Sequence, residues 1–74
     1  MFAITYADGE IILTQITTNQ DFIDKLCKRI NRFFVKVTYG YENRLLEIRI
    51  PIVKHSREEI GNILFSILEY EAYR

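Results

Sequence analysis

Residues 2–17 read FAITYADGEIILTQIT, and residues 35–52 read VKVTYGYENRLLEIRIPI. Each stretch holds two runs of β-favouring residues around a turn, and a helix-start signal follows each, at 18–22 and at 56–60. Asp8-Gly9 in the first stretch is a strong hairpin signal, because both central positions of a type I′ turn need positive φ. The sequence therefore predicts a ββα unit that occurs twice, the second copy starting 33 residues after the first.

We expect one α+β domain over residues 1–74, made of repeat units 1–33 and 34–74. The predicted architecture is a two-layer sandwich of order ββαββα, with a four-stranded, largely antiparallel sheet and two helices on one face. Each helix has one apolar stripe, and both stripes are buried most simply against a shared sheet. The other sheet face is mostly polar on strands three and four, so it is expected to contact water. The repeat indicates pseudo-twofold symmetry, but the pattern does not determine the strand order.

The register of the first hairpin stays open at this level. A two-residue loop pairs Ile4 with Leu13 and sends Ile12 and Ile16 to the far face, whereas a three-residue loop reverses these faces. Either loop leaves an aliphatic pair on the face opposite Ile4. The predicted strands span residues 2–7, 10–17, 33–40 and 44–53.

In the second hairpin, an even-numbered loop centred on Glu42-Asn43 gives matching inward faces. This loop pairs Tyr39 with Leu46. Pro51 cannot donate a ladder hydrogen bond, so strand four is expected to bulge, to end or to lie at an edge there.

Capping signals mark the start of both helices. Helix one is expected to begin near Thr18 or Asn19, with Asp21 completing a variant of the capping box, and helix two at Ser56, with Glu59 completing a Ser-x-x-Glu box. The predicted core stripes are Phe22, Ile23, Leu26, Cys27, Ile30 and Phe33 on helix one, and Ile60, Ile63, Leu64, Ile67 and Leu68 on helix two.

Size and cysteine content indicate the compartment. A domain of 74 residues has a thin core, so oligomerisation is a natural source of extra stability. A lone cysteine favours a reducing setting over secretion. No stretch has the length of a membrane span, and the first residues lack the pattern of a signal peptide. We therefore expect a cytoplasmic protein without membrane contact.

The charges are separated along the chain although the net charge is zero. Residues 1–24 carry four acids and no base, residues 25–57 carry nine bases and two acids, and residues 58–74 carry four acids and one base. Such a separation can create a dipolar surface, which affects partner choice and association rate.

The sequence carries no signature of catalysis, of a metal site or of a cofactor. His55 stands beside Ser56, but nucleophilic catalysis needs a base oriented by a third group, and Ser56 serves as a helix cap. Cys27 lies on an apolar helix stripe, where a small buried hydrophobe is the simpler interpretation. One cysteine and one histidine cannot form a zinc site, and the three glycines form no phosphate loop. We predict a protein that is not an enzyme and that uses no cofactor.

Two groups of residues are candidate interaction sites. The candidate partner-binding residues combine tyrosines, which are favoured at interfaces, with apolar and basic side chains: Tyr41, Leu45, Arg49, Tyr70 and Tyr73. The second group is a basic stripe on and just after helix one, with a spacing that can follow a phosphate backbone: Lys25, Lys28, Arg29, Arg32 and Lys36.

The leading hypothesis is a protein-binding module that acts by stoichiometric contact, with a homodimer as one form of it. A short chain of this kind also fits an inhibitor or accessory subunit of a nucleic-acid enzyme, such as phages and mobile elements make. The alternative hypothesis is nucleic-acid binding through the basic stripe.

Overall fold

The computed structural model describes residues 2–72, with side chains as far as Glu69. Its elements are β1 (Phe2–Ala7), β2 (Glu10–Ile16), α1 (Gln20–Phe33), β3 (Thr38–Glu42), β4 (Leu45–Pro51) and α2 (Arg57–Ala72). The four strands form one antiparallel sheet in the order β1-β2-β4-β3. The expected α+β fold of order ββαββα is confirmed.

The first hairpin has the two-residue loop. Ile4 lies opposite Leu13, so Ile12 and Ile16 face away from the helices. Ile11 is fully buried, whereas the side chain of Ile16 is 72% exposed. Of the two registers that the sequence allowed, this one turns Ile11 and Leu13, instead of Ile12 and Ile16, toward the helices.

The second hairpin turns at Asn43-Arg44, and the predicted loop at Glu42-Asn43 was wrong. Tyr39 therefore pairs with Ile48 instead of Leu46. Asn43 and Arg44 both have positive φ, 52° and 67°, which is the backbone of a type I′ turn. The shift amounts to two residues, so the inward and outward faces of β4 remain as the alternation predicted.

In the first turn, Gly9 has a φ of 75°, while Asp8 is not among the residues with positive φ. The turn is therefore not the expected type I′, and only its second central position demands the left-handed region. We expect Gly9→Ala to lower the free energy of unfolding by about 1–2 kcal/mol, because a Cβ is strained there.

Gly40→Ala is the matched control in urea denaturation. Gly40 lies in β3 without positive φ, and no atom lies within 4 Å of an added Cβ. This change should stabilise the strand by roughly 0.5 kcal/mol, since alanine loses less conformational entropy than glycine. Equal effects of the two substitutions would contradict the turn geometry.

Backbone hydrogen bonds show the pseudo-twofold relation between the two units. The N–H of Thr17 donates to the carbonyl of Arg44, and the N–H of Ile52 donates to the carbonyl of Gly9, each at 2.8 Å. Both donors and both acceptors are separated by 35 positions, and exchanging the units leaves the strand order unchanged. The structural repeat of the hairpins is thus 35 residues, not the 33 that the sequence comparison suggested.

Both predicted helix starts are confirmed. Ser56 accepts from the N–H of Glu59 at 3.2 Å and donates its own N–H to the Glu59 carboxylate at 2.9 Å. These bonds lower the pKa of Glu59. At α1 the structure has the second of the two expected starts: Asn19, and not Thr18, caps the helix by accepting from the N–H of Phe22 at 3.1 Å.

The core lies between the helices and one face of the sheet. Both helices cover that face, since the Tyr39 hydroxyl bonds to α1 and a Cβ at Gly61 of α2 would stand 3.6 Å from the Tyr6 hydroxyl. The buried apolar residues are Ile11, Leu13, Ile23, Leu26, Ile30, Phe34, Leu46, Ile48, Ile50, Ile60, Leu64, Ile67 and Leu68.

Phe33 was expected on the core stripe of helix one, but its side chain is 46% exposed. Phe34 is the buried residue, at 6%. The helix ends at Phe33, and Phe34 adopts an extended backbone with φ −126° and ψ 153°. This change of backbone breaks the helical spacing and turns Phe34, instead of Phe33, into the core.

Candidate interaction surface

The sheet face opposite the helices, called the open face below, carries an exposed aliphatic pair. Ile16 at the end of β2 lies directly opposite Leu45 at the start of β4. Their side chains are 72% and 41% exposed. Alternation along each strand puts both on the side without helices, so the fold itself leaves this pair uncovered.

Two open grooves flank Leu45. The groove toward β1 has a volume of about 350 Å³ and is lined by Phe2, Ala3, Thr14, Gln15, Ile16 and Leu45. The groove toward β3 has a volume of about 540 Å³ and is lined by Gly40, Tyr41, Glu42, Asn43, Leu45 and Glu47. Leu45 belongs to both, so it is the point where the two grooves meet.

Arg49 is held on the open face by two glutamates. Its Nη1 donates to Glu10 Oε1 at 2.5 Å, and its Nε donates to Glu47 Oε1 at 2.7 Å. The bonds to Glu47 and Glu10 raise the pKa of Arg49. The strand residues of this face comprise three acids, with Glu42 as the third, and one base, so the face is acidic. Arg49 is bonded to two of these three acids, so its own positive charge is largely compensated within the face.

Tyr41, near the tip of the second hairpin, does not project freely from the turn. It pairs with Leu46 and so projects from the helix side of the sheet. Its hydroxyl donates to the carbonyl of Thr17 at 2.6 Å, which ties β3 to the connection before α1. The side chain remains 47% exposed and still lines one groove. Of the other candidate residues, the side chain of Tyr70 and the whole of Tyr73 lie outside the described part of the chain.

Tyr39 holds β3 to α1. Its hydroxyl donates to Asn31 Oδ1 at 2.5 Å and lies 3.4 Å from the carbonyl oxygen of Cys27. Burial, followed by the neighbouring Cys27, raises the pKa of Tyr39 to about 12. The folded protein thus favours the neutral phenol more strongly than the unfolded chain does.

This shift predicts a loss of stability in alkaline solution. The contribution of Tyr39 is complete below the unfolded pKa of 10 and is lost as the pH rises toward 12. In a spectrophotometric titration, Tyr39→Phe should lack a late tyrosine ionisation that the parent protein shows. The free energy of unfolding, measured by denaturation at a series of pH values, should also decrease less steeply with rising pH in the variant than in the parent protein. A late step that persists in Tyr39→Phe would contradict the assignment.

The basic stripe is largely brought together on the outside of α1. Four of its five members line one small depression of about 140 Å³: Lys25, Lys28, Arg29 and Arg32. Lys36 is not among these lining residues and follows the helix with a φ of 58°. The basic surface is therefore a helix face, on the layer opposite the acidic open face.

His55 and Cys27, the two residues considered for catalysis, have contacts that fit a structural role. The His55 ring packs edge-on against Phe34, with centroids 5.9 Å apart, and its Nδ1 lies 3.9 Å from a carboxylate oxygen of Glu59. Burial and the nearby Asp24 raise the pKa of the Cys27 thiol, which lowers its reactivity.

Among residues 2–69, whose side chains the structure describes, no group of three or more histidine, cysteine or acidic side chains is placed to hold a metal ion. Neither helix, as far as it is described, has the length and apolar character needed to cross a membrane.

Comparisons with protein-family models, with curated proteins and with solved structures gave no match. The interpretation of this surface therefore depends on its own geometry. Sequence reasoning had named Leu45 and the aliphatic pair of β2, but it had not identified Glu42 and Glu47 as an acidic border. That border follows from the strand order and the turn position, neither of which has a local sequence signal.

Proposed function

We propose that the protein acts without catalysis, as a module that binds another protein through its open face. The single observation that carries this proposal is the cross-strand pair of Ile16 and Leu45. Scattered exposed aliphatic side chains are normal on a protein surface, but these two are direct neighbours with a groove on each side. A contiguous apolar patch with a polar border has the layout of an interface core and rim.

The charge of the open face indicates the chemistry of the partner. With Arg49 bonded to Glu10 and Glu47, the strand residues of the face leave an excess of two negative charges. The complementary partner presents an apolar side chain with lysine or arginine residues around it. Such complementarity accelerates association and excludes acidic partners.

The basic surface expected of the partner, with lysine or arginine residues, is of the kind that contacts phosphate backbones in nucleic-acid-binding proteins. This is the reason to test nucleic-acid enzymes first as partners. A chain of 74 residues that covers such a surface would serve as an inhibitor or as an accessory subunit.

Three threonine variants test the proposal. The immobilised protein is used to capture proteins from lysate, and each captured protein is then titrated against Ile16→Thr, Leu45→Thr and the control Val53→Thr. Val53 is 64% exposed but lies outside the sheet. We expect the first two variants to weaken binding at least about tenfold, as for central contact residues, and the control to leave it unchanged.

Threonine is β-branched and favours the strand conformation, so Ile16→Thr and Leu45→Thr should retain the strands, and Val53→Thr lies outside the sheet. Binding should also slow as salt increases. A captured protein that binds all three variants equally, or an acidic protein as the only one captured, would overturn the assignment to the open face.

A second function is favoured by one observation, the depression lined by four basic side chains of α1. If nucleic acid binds there, affinity for a single- or double-stranded probe falls steeply with salt. The double variant Lys28→Glu/Arg32→Glu should abolish that binding, while Lys54→Glu, an exposed site between β4 and α2, should change it little. No probe shift at about 50 mM salt would end this interpretation.

A further inference from the structure

Among the described residues, the backbone groups along the outer edge of β1 have no hydrogen-bond partner in the turns and loops. The bonds from Thr17 to Arg44 and from Ile52 to Gly9 show that odd-numbered residues along β2 are directed toward β4. The even-numbered residues of β2 are therefore directed toward β1. Hydrogen-bonding direction alternates along a strand and is shared within a bonded pair.

The register then assigns the groups of β1. Ala3, Thr5 and Ala7 lie opposite the even-numbered residues of β2, so their N–H and C=O groups are used inside the sheet. The N–H and C=O groups of Phe2, Ile4 and Tyr6 point the other way. Since β1 is the first strand in the sheet order, these groups face outward from the sheet edge.

This edge lacks the features by which proteins usually prevent strand pairing. The six residues of β1 include no charge, no proline and no glycine, and their pairing with β2 runs without a bulge. Edge strands are normally blunted by charges, prolines or bulges. The opposite edge, β3, is shorter and contains Gly40 and Glu42.

We propose that a second copy of this chain pairs with β1, antiparallel and centred on Ile4. In that register, Ile4 lies opposite Ile4 of the partner copy, and Phe2 lies opposite Tyr6 of the partner copy. This antiparallel register pairs all three outward residues of each strand. If one strand were shifted by two residues along the other, one of the three outward residues on each strand would lack a partner. The product is a symmetric dimer with a continuous eight-stranded sheet.

The properties of β1 select a second copy over another strand. The strand itself is uncharged, so its residues pair without like-charge repulsion, and a charged peptide finds no opposite charge on β1. A nearby charge is Arg57 of α2, whose guanidinium lies 5.5 Å from the centre of the Tyr6 ring. Because Tyr6 lies opposite Phe2 of the partner copy, the two arginines are placed toward opposite ends of the paired strands. Aromatic side chains meet aromatic ones and isoleucine meets isoleucine, which are favourable cross-strand pairs. The paired residues all lie on the helix face, so both helical layers are on the same side of the joined sheet.

The α2 helix extends the contact. Gly61 lies beside Tyr6, and Phe65, 60% exposed, follows one helical turn later on the same side of α2. An aromatic side chain carries about 150–250 Å² of surface, so the exposed parts of Phe2, Tyr6 and Phe65 offer roughly 300 Å² per copy. Stable interfaces bury about 800 Å² per partner, so the expected dimer forms reversibly with concentration.

The dimer does not depend on the proposed function. It uses the edge of β1, and it leaves Ile16 and Leu45 of both copies on one extended open face. Loss of partner capture in Leu45→Thr therefore tests one proposal, and loss of self-association tests the other.

Sedimentation velocity over a range of concentrations tests the dimer. We expect the mass to rise from 8.8 kDa toward twice that value. Ile4→Pro should remain monomeric at every concentration, because it removes the central edge donor without removing a bond inside the sheet. Ile4→Ala loses a similar part of the core contact but keeps the donor, so it should still dimerise.

Amide hydrogen exchange of the unmodified protein gives an independent measurement if Ile4→Pro fails to fold. The N–H groups of Phe2, Ile4 and Tyr6 should gain protection as the concentration rises. Those of Ala3, Thr5 and Ala7 should be protected throughout. A protein that stays monomeric up to about millimolar concentration, where an interface of this size should associate, would overturn the proposal. So would a dimer that Ile4→Pro leaves intact, or one that Leu45→Thr abolishes.

Discussion

Replacing Ile11 by alanine is expected to lower the free energy of unfolding by about 3 kcal/mol, whereas the same replacement at Ile16 should lower it by less than about 0.5 kcal/mol. The two residues are both isoleucines of β2, but Ile11 is fully buried and Ile16 is 72% exposed. Truncating Ile11 leaves a cavity between the sheet and the helices. Truncating Ile16 removes atoms that water already contacts.

Urea denaturation of the two variants measures this difference. The comparison also tests the register, because a one-residue slip of β2 would exchange its two faces. In that case Ile16→Ala would be the damaging change and Ile11→Ala the mild one. Comparable losses in both variants would contradict a sheet that is covered on one face only.

Replacing Phe34 by alanine is expected to cost about 3–4 kcal/mol, while Phe33→Ala should cost less than about 1 kcal/mol. Phe34 is 6% exposed and packs against His55, whereas Phe33 is 46% exposed. The stability of the domain is itself only about 4–11 kcal/mol for this length, so Phe34→Ala removes a large part of it.

Thermal and chemical unfolding of both phenylalanine variants checks this assignment. His55→Ala, combined with Phe34→Ala in a double-mutant cycle, should show a coupling of about 1 kcal/mol for the edge-to-face pair. Equal losses from the two phenylalanines would show that α1 continues past Phe33. The absence of coupling would remove the packing role assigned to His55.

Local signals predicted much of the fold. Alternating residues and the Asp8-Gly9 turn gave β1 and β2 nearly to the residue, and Ser56 with Glu59 marked the start of α2. These features depend on neighbours within a few positions. Their physical cause is therefore contained in a short stretch of sequence.

The errors occurred where the cause is not local. Arg44 adopts positive φ in the second turn, a conformation that its side chain does not favour, so composition pointed to the wrong pair of turn residues. Phe33 continues the helical spacing, and only the end of α1 explains why Phe34 is buried in its place. The strand order depends on which hairpins meet, which no single segment specifies.

The candidate site was predictable in part for the same reason. Once the length of the first hairpin loop is known, the alternation of side chains along each strand is enough to place Leu45 and Ile16 on the outward face. The bond of Arg49 to Glu10 joins residues 39 positions apart and follows from the pairing of β2 with β4. Without that pairing, Arg49 looked like a free contact residue.

The pairing of β2 with β4 is the claim on which the open face and the free edge both depend. Nuclear Overhauser spectroscopy in D₂O tests it directly, because Hα atoms approach closely only across non-hydrogen-bonded pairs of antiparallel strands. The structure predicts strong Hα–Hα cross-peaks between Ile12 and Arg49 and between Thr14 and Glu47. Cross-peaks from Ile12 or Thr14 to other residues of β4, or from β1 to β4, would contradict it.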